Sequence, residues 1–292
     1  MTSSLLLLIR ERFPVGQYGP LIFVFTLANG LYFRGPEGVS SLDLGISLVI
    51  LTSAFLRLRL FDEMKDLETD LKINPSRPLA RGAVQVDQVR LWILVLLLLE
   101  LGLSWWLGPA VFVVHSFAIL FSLLMFEEFF VGSFLRPHLT TYAITHTFVS
   151  VLLAATSGAG TSGGNVESLT RREGLLFLLA NWAFFNLFEF ARKTYAPSEE
   201  REGVMTYSSL FGVTGALALS FSQVVLGLGL LQMACLEIMP GLWAAGVLYI
   251  GVSLLVSLKR EVKGLGIYRL LSGLYLLTHY VLLLFAFVRA LL

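Results

Sequence analysis

Nine runs of mostly apolar residues divide this chain, each near the roughly 20 residues that carry a helix across a bilayer. They are Gly16–Phe33, Leu44–Leu60, Val89–Leu107, Val111–Phe126, Leu139–Thr156, Gly174–Ala191, Leu210–Gln232, Leu242–Leu258 and Leu270–Val288. Gly108-Pro109 separates the third from the fourth. A Gly/Ser/Thr-rich segment, Ser157–Thr170, follows the fifth and reads as a flexible loop. Only 14% of residues are charged and mean hydropathy is +0.79, which excludes an ordinary water-soluble domain. The pattern is that of an all-α, polytopic membrane protein: one membrane-embedded domain over 1–292, with an interfacial helix at 1–13 and the bundle at 16–290.

Charge sets the expected orientation. With the N-terminus in the cytoplasm, 17 of the 21 Lys and Arg fall in cytosolic segments, leaving Arg34, Arg171, Arg172 and Arg289 outside. A net charge of +1 gives no footprint for nucleic acid, and nothing in the sequence implies a protein partner. Cys235 is the single cysteine, so no intrachain disulfide forms.

The charged residues concentrate in two places. Arg57 to Gly82 carries Asp62, Asp66 and Asp70 at four-residue spacing, then Asn74-Pro75-Ser76-Arg77-Pro78-Leu79. Four-residue steps keep side chains on one helical face. Across a continuous helix Asp62 and Asp70 lie roughly 12 Å apart, too far for one ion to touch all three. Two ions bridged by a polyphosphate fit, and magnesium binds through one or two carboxylates plus substrate phosphates. The plainer alternative is a solvated acidic helix end paired locally with Arg57, Arg59, Lys65 and Lys72. Against it, carboxylates at a helix C-terminus oppose the macrodipole, and ionisable groups beside a membrane span default to function. The second place is Asn186 to Thr206, at the end of the sixth run, on the same side of the membrane as the first. Glu189 lies one turn before Lys193, and Pro197 interrupts the helix.

Asp62-x3-Asp66-x3-Asp70 followed by Arg77-Pro78-Leu79-x-x-Gly82 resembles the first aspartate-rich motif of the UbiA-type intramembrane prenyltransferases, with Asp62 where that family usually has Asn. The family's second motif, Asp-x3-Asp then Gly-x-x-Thr and a later Gly, aligns with Tyr195, Glu199, Gly203, Thr206 and Gly212, so one aspartate is replaced by Tyr195. The resemblance implies nine membrane helices around a central cavity, a cytoplasmic N-terminus, Mg2+ as cofactor, and transfer of an isoprenyl group from a polyprenyl diphosphate to a hydrophobic, aromatic acceptor. It implies catalytic roles for Asp62, Asp66, Asp70 and Arg77, and metal binding by the three aspartates with Glu199; Glu189, one turn before Lys193, is a further candidate ligand outside that register. Lys72, Asn74, Glu189, Arg192, Lys193, Tyr195 and Glu199 are the candidate substrate contacts. The expected setting is a bacterial inner membrane, with lipid around the helices and the site opening to the cytoplasm. Three alternatives remain at this stage: a transporter, a phosphatidyltransferase, and a UbiA-like protein whose activity is altered by the second motif.

Asn29 reads as a helix-end cap, and His115, His146 and His279 as packed or interhelically bonded side chains. Asn181 and Asn186 face a cavity or join helices. Glu127-Glu128 reads as an interfacial pair or the border of the site.

Overall fold

The apolar runs become helices, as the lack of backbone partners in lipid requires. The computed structural model describes residues 2–34, 38, 40–164, 166–234 and 239–289; Cys235 lies outside them. In order the helices are α1 (Thr2–Arg12), α2 (Val15–Phe33), α3 (Ser41–Lys65), α4 (Leu67–Ile73), α5 (Val86–Leu107), α6 (Pro109–Phe126), α7 (Gly132–Leu135), α8 (Leu139–Thr147), α9 (Val149–Thr161), α10 (Glu167–Thr170), α11 (Arg172–Arg192), α12 (Tyr207–Ala234), α13 (Met239–Ser257) and α14 (Val262–Arg289). No strand occurs among the described residues. Among the described residues, eight segments are long and apolar enough to span a membrane: α3, α5, α6, α8 with α9, α11, α12, α13 and α14. The chain is an integral, multi-pass, all-helical protein. The first of the nine runs forms α2, in which Gln17, Pro20, Thr26 and Asn29 dilute the apolar character.

The chain divides into two compact units, Met1–Phe130 with Thr156–Asn165, and Val131–Ala155 with Val166–Leu292. In the first, α3 packs against α2, α5 and α6. At one end Leu8 of α1, Leu60 and Phe61 of α3, Leu79 and Val84 of the basic loop, and Val89 and Trp92 of α5 share one buried cluster. That cluster fixes the loop after α4 against three helices. In the second unit α11 packs against α8, α12 and α14, and α13 against α12 and α14. Gly212 breaks α12 in its second turn with φ 69°, a left-handed conformation that favours glycine.

Two segments differ from the sequence expectation. The Ser157–Thr170 stretch is not a loop throughout: α9 runs on to Thr161, and Ser157 and Thr161 are buried. Ser157 Oγ donates to Thr26 O (2.8 Å) and Thr161 Oγ1 to Gly30 O (3.0 Å). Small residues let the backbones approach so closely that a Cβ on Gly30 would lie 2.9 Å from Thr161 Cγ2. Asn29 is no cap either; it lies inside α2 and its Nδ2 donates to Phe25 O (2.8 Å).

Arg57 is also corrected. It does not pair with the acidic motif but is fully buried, forking onto Glu100 of α5 through Nε (2.9 Å) and Nη2 (2.8 Å). Its Nη1 donates to Ser122 Oγ (2.6 Å). His115 Nε2 lies 3.1 Å from the same carboxylate and its Nδ1 lies 3.3 Å from Thr156 Oγ1. Arg57 therefore has its counter-charge and each of its three nitrogens an acceptor, the condition for keeping ions inside a bundle. The other histidines pack as expected: His146 bonds Tyr142 O (2.7 Å), and His279 lies on Phe184 with ring centroids 3.8 Å apart. Asn181 joins helices, accepting from Tyr280 of α14 (2.8 Å), and Asn186 does so through Thr147 of α8.

Candidate active site

α3 ends at Lys65 and α4 begins at Leu67, with Asp66 as the joint (φ −82°, ψ −5°). The joint does not break the ladder. Asp66 N donates to Asp62 O (2.9 Å), Asp70 N to Asp66 O (2.7 Å), and Asn74 N to Asp70 O (2.9 Å). The four-residue register thus survives across two helices, and the three aspartates keep to one side.

They are not equivalent. Asp70 is buried and its two oxygens take Asn74 Nδ2 (3.0 Å) and Arg77 Nη1 (2.5 Å). The same Arg77 nitrogen lies 3.8 Å from Asp66, whose side chain is 57% exposed. Partial desolvation pushes the Asp66 carboxyl above its ordinary range, the neighbouring Asp70 charge adds to this, and Arg77 opposes it. Asp62, one turn earlier, lies 3.7 Å from Arg59. Lys72 is exposed on the opposite side of α4 from the buried Asp70.

The surroundings hold this arrangement from both sides. Pro78, Leu79 and Val84 are buried behind the loop. The amphipathic α1 straps it: Glu11 receives both ends of the Arg81 guanidinium (3.0 and 2.7 Å), and Arg12 Nε reaches the buried Glu63 (2.6 Å), which also takes Arg59 (2.7 Å). Lys65 lies 3.4 Å from Glu128, so that glutamate supports the motif-bearing end of α3. The Arg12–Glu63 and Glu11–Arg81 pairs had no local sequence signal, because their members lie 51 and 70 residues apart.

The second stretch is built differently. α11 ends at Arg192, and a short 3-10 turn, Pro197–Glu199, follows. Glu189 takes Arg192 Nε (2.5 Å) and Lys193 Nζ (3.1 Å). Glu199 points elsewhere: Arg269 of α14 grips it with Nη2 to Oε1 (2.8 Å) and Nη1 to Oε2 (3.0 Å), and the Ala196 N–H donates to Oε2 (2.9 Å). Arg269 also donates to Thr194 O (3.0 Å) and lies over the Tyr195 ring, 4.6 Å from its centroid. The Arg269 hydrogen bonds hold the Glu199 carboxyl below its ordinary range, against the opposing effect of burial. Glu200 accepts from Thr206 Oγ1 (2.7 Å) and Ser208 Oγ (2.6 Å), closing the turn. A cavity of about 300 Å³ opens beside Tyr195, Glu200 and Arg260. Sequence reasoning missed Arg269 and Glu200; Arg269 sits 70 positions from Glu199 and no spacing connects them.

Among the described residues, no three His, Cys, Asp or Glu side chains gather as a ready-made metal site. The first stretch nonetheless fits a hard divalent ion. Two carboxylates share one guanidinium, Asp66 keeps an exposed carboxylate, and a cation there relieves the charge that raises its pKa. The second stretch fits one poorly, because three cations already stand on its two expected ligands.

Solved structures similar to this one agree in fold. A UbiA homologue from Aeropyrum pernix K1 superposes with TM-score 0.64 at 17% identity, covering 93% of this chain and 98% of that one. A UbiA homologue from Archaeoglobus fulgidus bound to GPP and Mg2+ gives 0.63 at 15%, covering 94% and 98%. A structure of digeranylgeranylglyceryl phosphate synthase in membranes gives 0.63 at 14%, covering 94% and 99%. No curated protein matches the chain at a significant level. The sequence profile of the UbiA prenyltransferase family matches residues 22–264, a range that takes in both acidic stretches and α2 to the start of α14. Profile, fold and the Asp-x3-Asp-x3-Asp face of α3 and α4 agree, and the chain belongs to the UbiA prenyltransferase family.

Proposed function

We propose that the protein transfers an isoprenyl group from a polyprenyl diphosphate to a hydrophobic, aromatic acceptor, releasing diphosphate. The observation that carries this reading is the unbalanced charge at Asp66 and Asp70, two carboxylates against the single guanidinium of Arg77. A buried ion pair kept for structure is balanced, as Arg57 and Glu100 are; an unbalanced acidic edge beside an apolar span is built for a cation. The homologue bound to GPP and Mg2+ supports both the substrate class and the ion. Mg2+ held there supplies charge stabilisation of the departing diphosphate. Asp66 and Asp70 would hold it, with Asp62 at the outer end of the face. Asn74 orients Asp70 through its amide, and Arg77 holds Asp70 while offering its remaining donors to phosphate. The apolar helices exclude water from the allylic carbon as it becomes cationic, which protects it until the acceptor attacks.

The orientation that fits this reading places the N-terminus and both acidic stretches in the cytoplasm, with α2 as the ninth span, in a bacterial inner membrane. Membranes containing the protein, incubated with radiolabelled polyprenyl diphosphates, lipid-soluble aromatic acceptors and Mg2+, should yield labelled lipid product that disappears with EDTA. Absence of product across chain lengths and acceptors, from protein shown to be folded, would overturn the proposal.

A further inference from the structure

We propose that the guanidinium of Arg269 takes the place of a divalent ion on the second acidic stretch, so that this protein binds its diphosphate substrate with one metal ion. The inference rests on the function proposed above and concerns only how the second stretch meets the substrate's charge. Two carboxylates there are candidate ligands, Glu189 and Glu199. Both oxygens of Glu199 are spanned by the planar fork of Arg269, and the Ala196 N–H takes a further position on Oε2. A fork so placed neutralises the carboxylate along the edge a metal would approach, and a guanidinium is never deprotonated to make room. Tyr195 completes the arrangement. The guanidinium carbon lies over its ring, 4.6 Å from the centroid, so the residue that replaces a carboxylate binds the same cation by its π face. Arg269 is further fixed by Thr194 O, the last carbonyl before Tyr195. Thus one side chain of α14 holds Thr194, Tyr195 and Glu199 together, the organising task a bridging ion would otherwise perform.

Glu189 is likewise taken, by Arg192 and Lys193. The ion-paired groups of this stretch therefore number three cations on two carboxylates. Of the other acids here, Glu200 is turned onto the hydroxyls of Thr206 and Ser208 and Glu202 is exposed. A stretch so composed attracts an anion directly. It meets phosphate through Arg192 and Lys193, and both of its expected metal ligands, Glu189 and Glu199, are already paired with cations.

The test counts ions. The full-length protein in nanodiscs is saturated with a geranyl diphosphate analogue carrying sulfur at the bridging position, which is slow to ionise. Mn2+ then replaces Mg2+, since both take the same oxygen ligands, and bound Mn2+ is counted by equilibrium dialysis and electron paramagnetic resonance. One ion per bound analogue is expected, unchanged in Glu199→Gln. Two ions on the unaltered protein would overturn the inference and leave the prenyltransferase reading intact. So would one ion in the unaltered protein that is lost in Glu199→Gln. No ion at all, with analogue bound, would overturn both. The count on the unaltered protein decides without any variant, so a misfolded substitution cannot obscure it.

Discussion

Both acidic stretches set carboxylates among Lys and Arg, and they pair their candidate ligands in opposite proportions. In the first, Asp66 and Asp70 share Arg77, and negative charge is left over. In the second, Glu189 is held by Arg192 and Lys193 and Glu199 by Arg269, so three cations stand on these two carboxylates. A carboxylate in a sequence is thus only half of a site. Whether it seeks a metal is decided by the cations that the fold delivers to it. In the first stretch the deciding cation comes from seven residues away, in the second from 70.

The comparison breaks most visibly at the first stretch. Asp66→Ala and Asp70→Ala are each expected to lower Mg2+-dependent turnover by roughly 1,000-fold, the scale of losing a principal charge-stabilising group. Asp62→Asn should cost far less, since Asp62 stands at the outer end of the face beside Arg59. Initial rates over a Mg2+ titration measure this, and normal turnover in Asp66→Ala would remove the metal site.

A balanced, buried acid should behave the other way. Glu100→Ala leaves Arg57 without its counter-charge in the span, and about 3–5 kcal/mol of stability should be lost. Thermal unfolding in detergent reports it. The loss should appear whether or not Mg2+ is present, unlike any effect at Asp66. A Glu100→Ala protein as stable as its parent would show that the Arg57 network is not structural.

Much of this was legible in the sequence. Apolar runs gave the helices because lipid leaves the backbone no other partners, and Gly108-Pro109 marked the α5–α6 break because proline suits the first turn of a helix. The first acidic face was legible because its partners, Asn74 and Arg77, are local. The rest was not, since it depends on contacts between distant elements. Arg57 and Glu100 are 43 residues apart, and a lone arginine near a helix end reads as a surface charge. Ser157–Thr161 has a loop's composition, yet its hydroxyls bond α2 carbonyls within a helix. Glu199 was visible as an acid and invisible as one already occupied.

A smaller effect separates Arg77 from the loop around it. Lys cannot bond Asp70 and present further donors to phosphate in one plane. Arg77→Lys is expected to raise the KM for the prenyl diphosphate about 10-fold, the worth of one charge-assisted hydrogen bond, and to leave the acceptor's KM unchanged. Equal changes in both would assign Arg77 to loop structure and weaken the contrast between the stretches.

The smallest effect belongs to Glu199, and it tests the contrast from the second side. Its folded pKa is lowered by Arg269, so the pair contributes stability that is present above the ordinary glutamate range. That contribution is lost as pH falls through the lowered value, because the unfolded chain takes up the proton first. Both side chains are about one-fifth exposed, so screening keeps the contribution to about 1 kcal/mol. Glu199→Gln should therefore unfold slightly earlier than its parent at neutral pH, and the gap should close as the pH drops below the carboxylate range. Mg2+ with the substrate analogue should stabilise parent and variant equally, since Glu199 is already neutralised by Arg269. If the ion instead stabilises the parent and not Glu199→Gln, then Arg269 yields its partner to metal on binding, and the two stretches differ only in the empty protein.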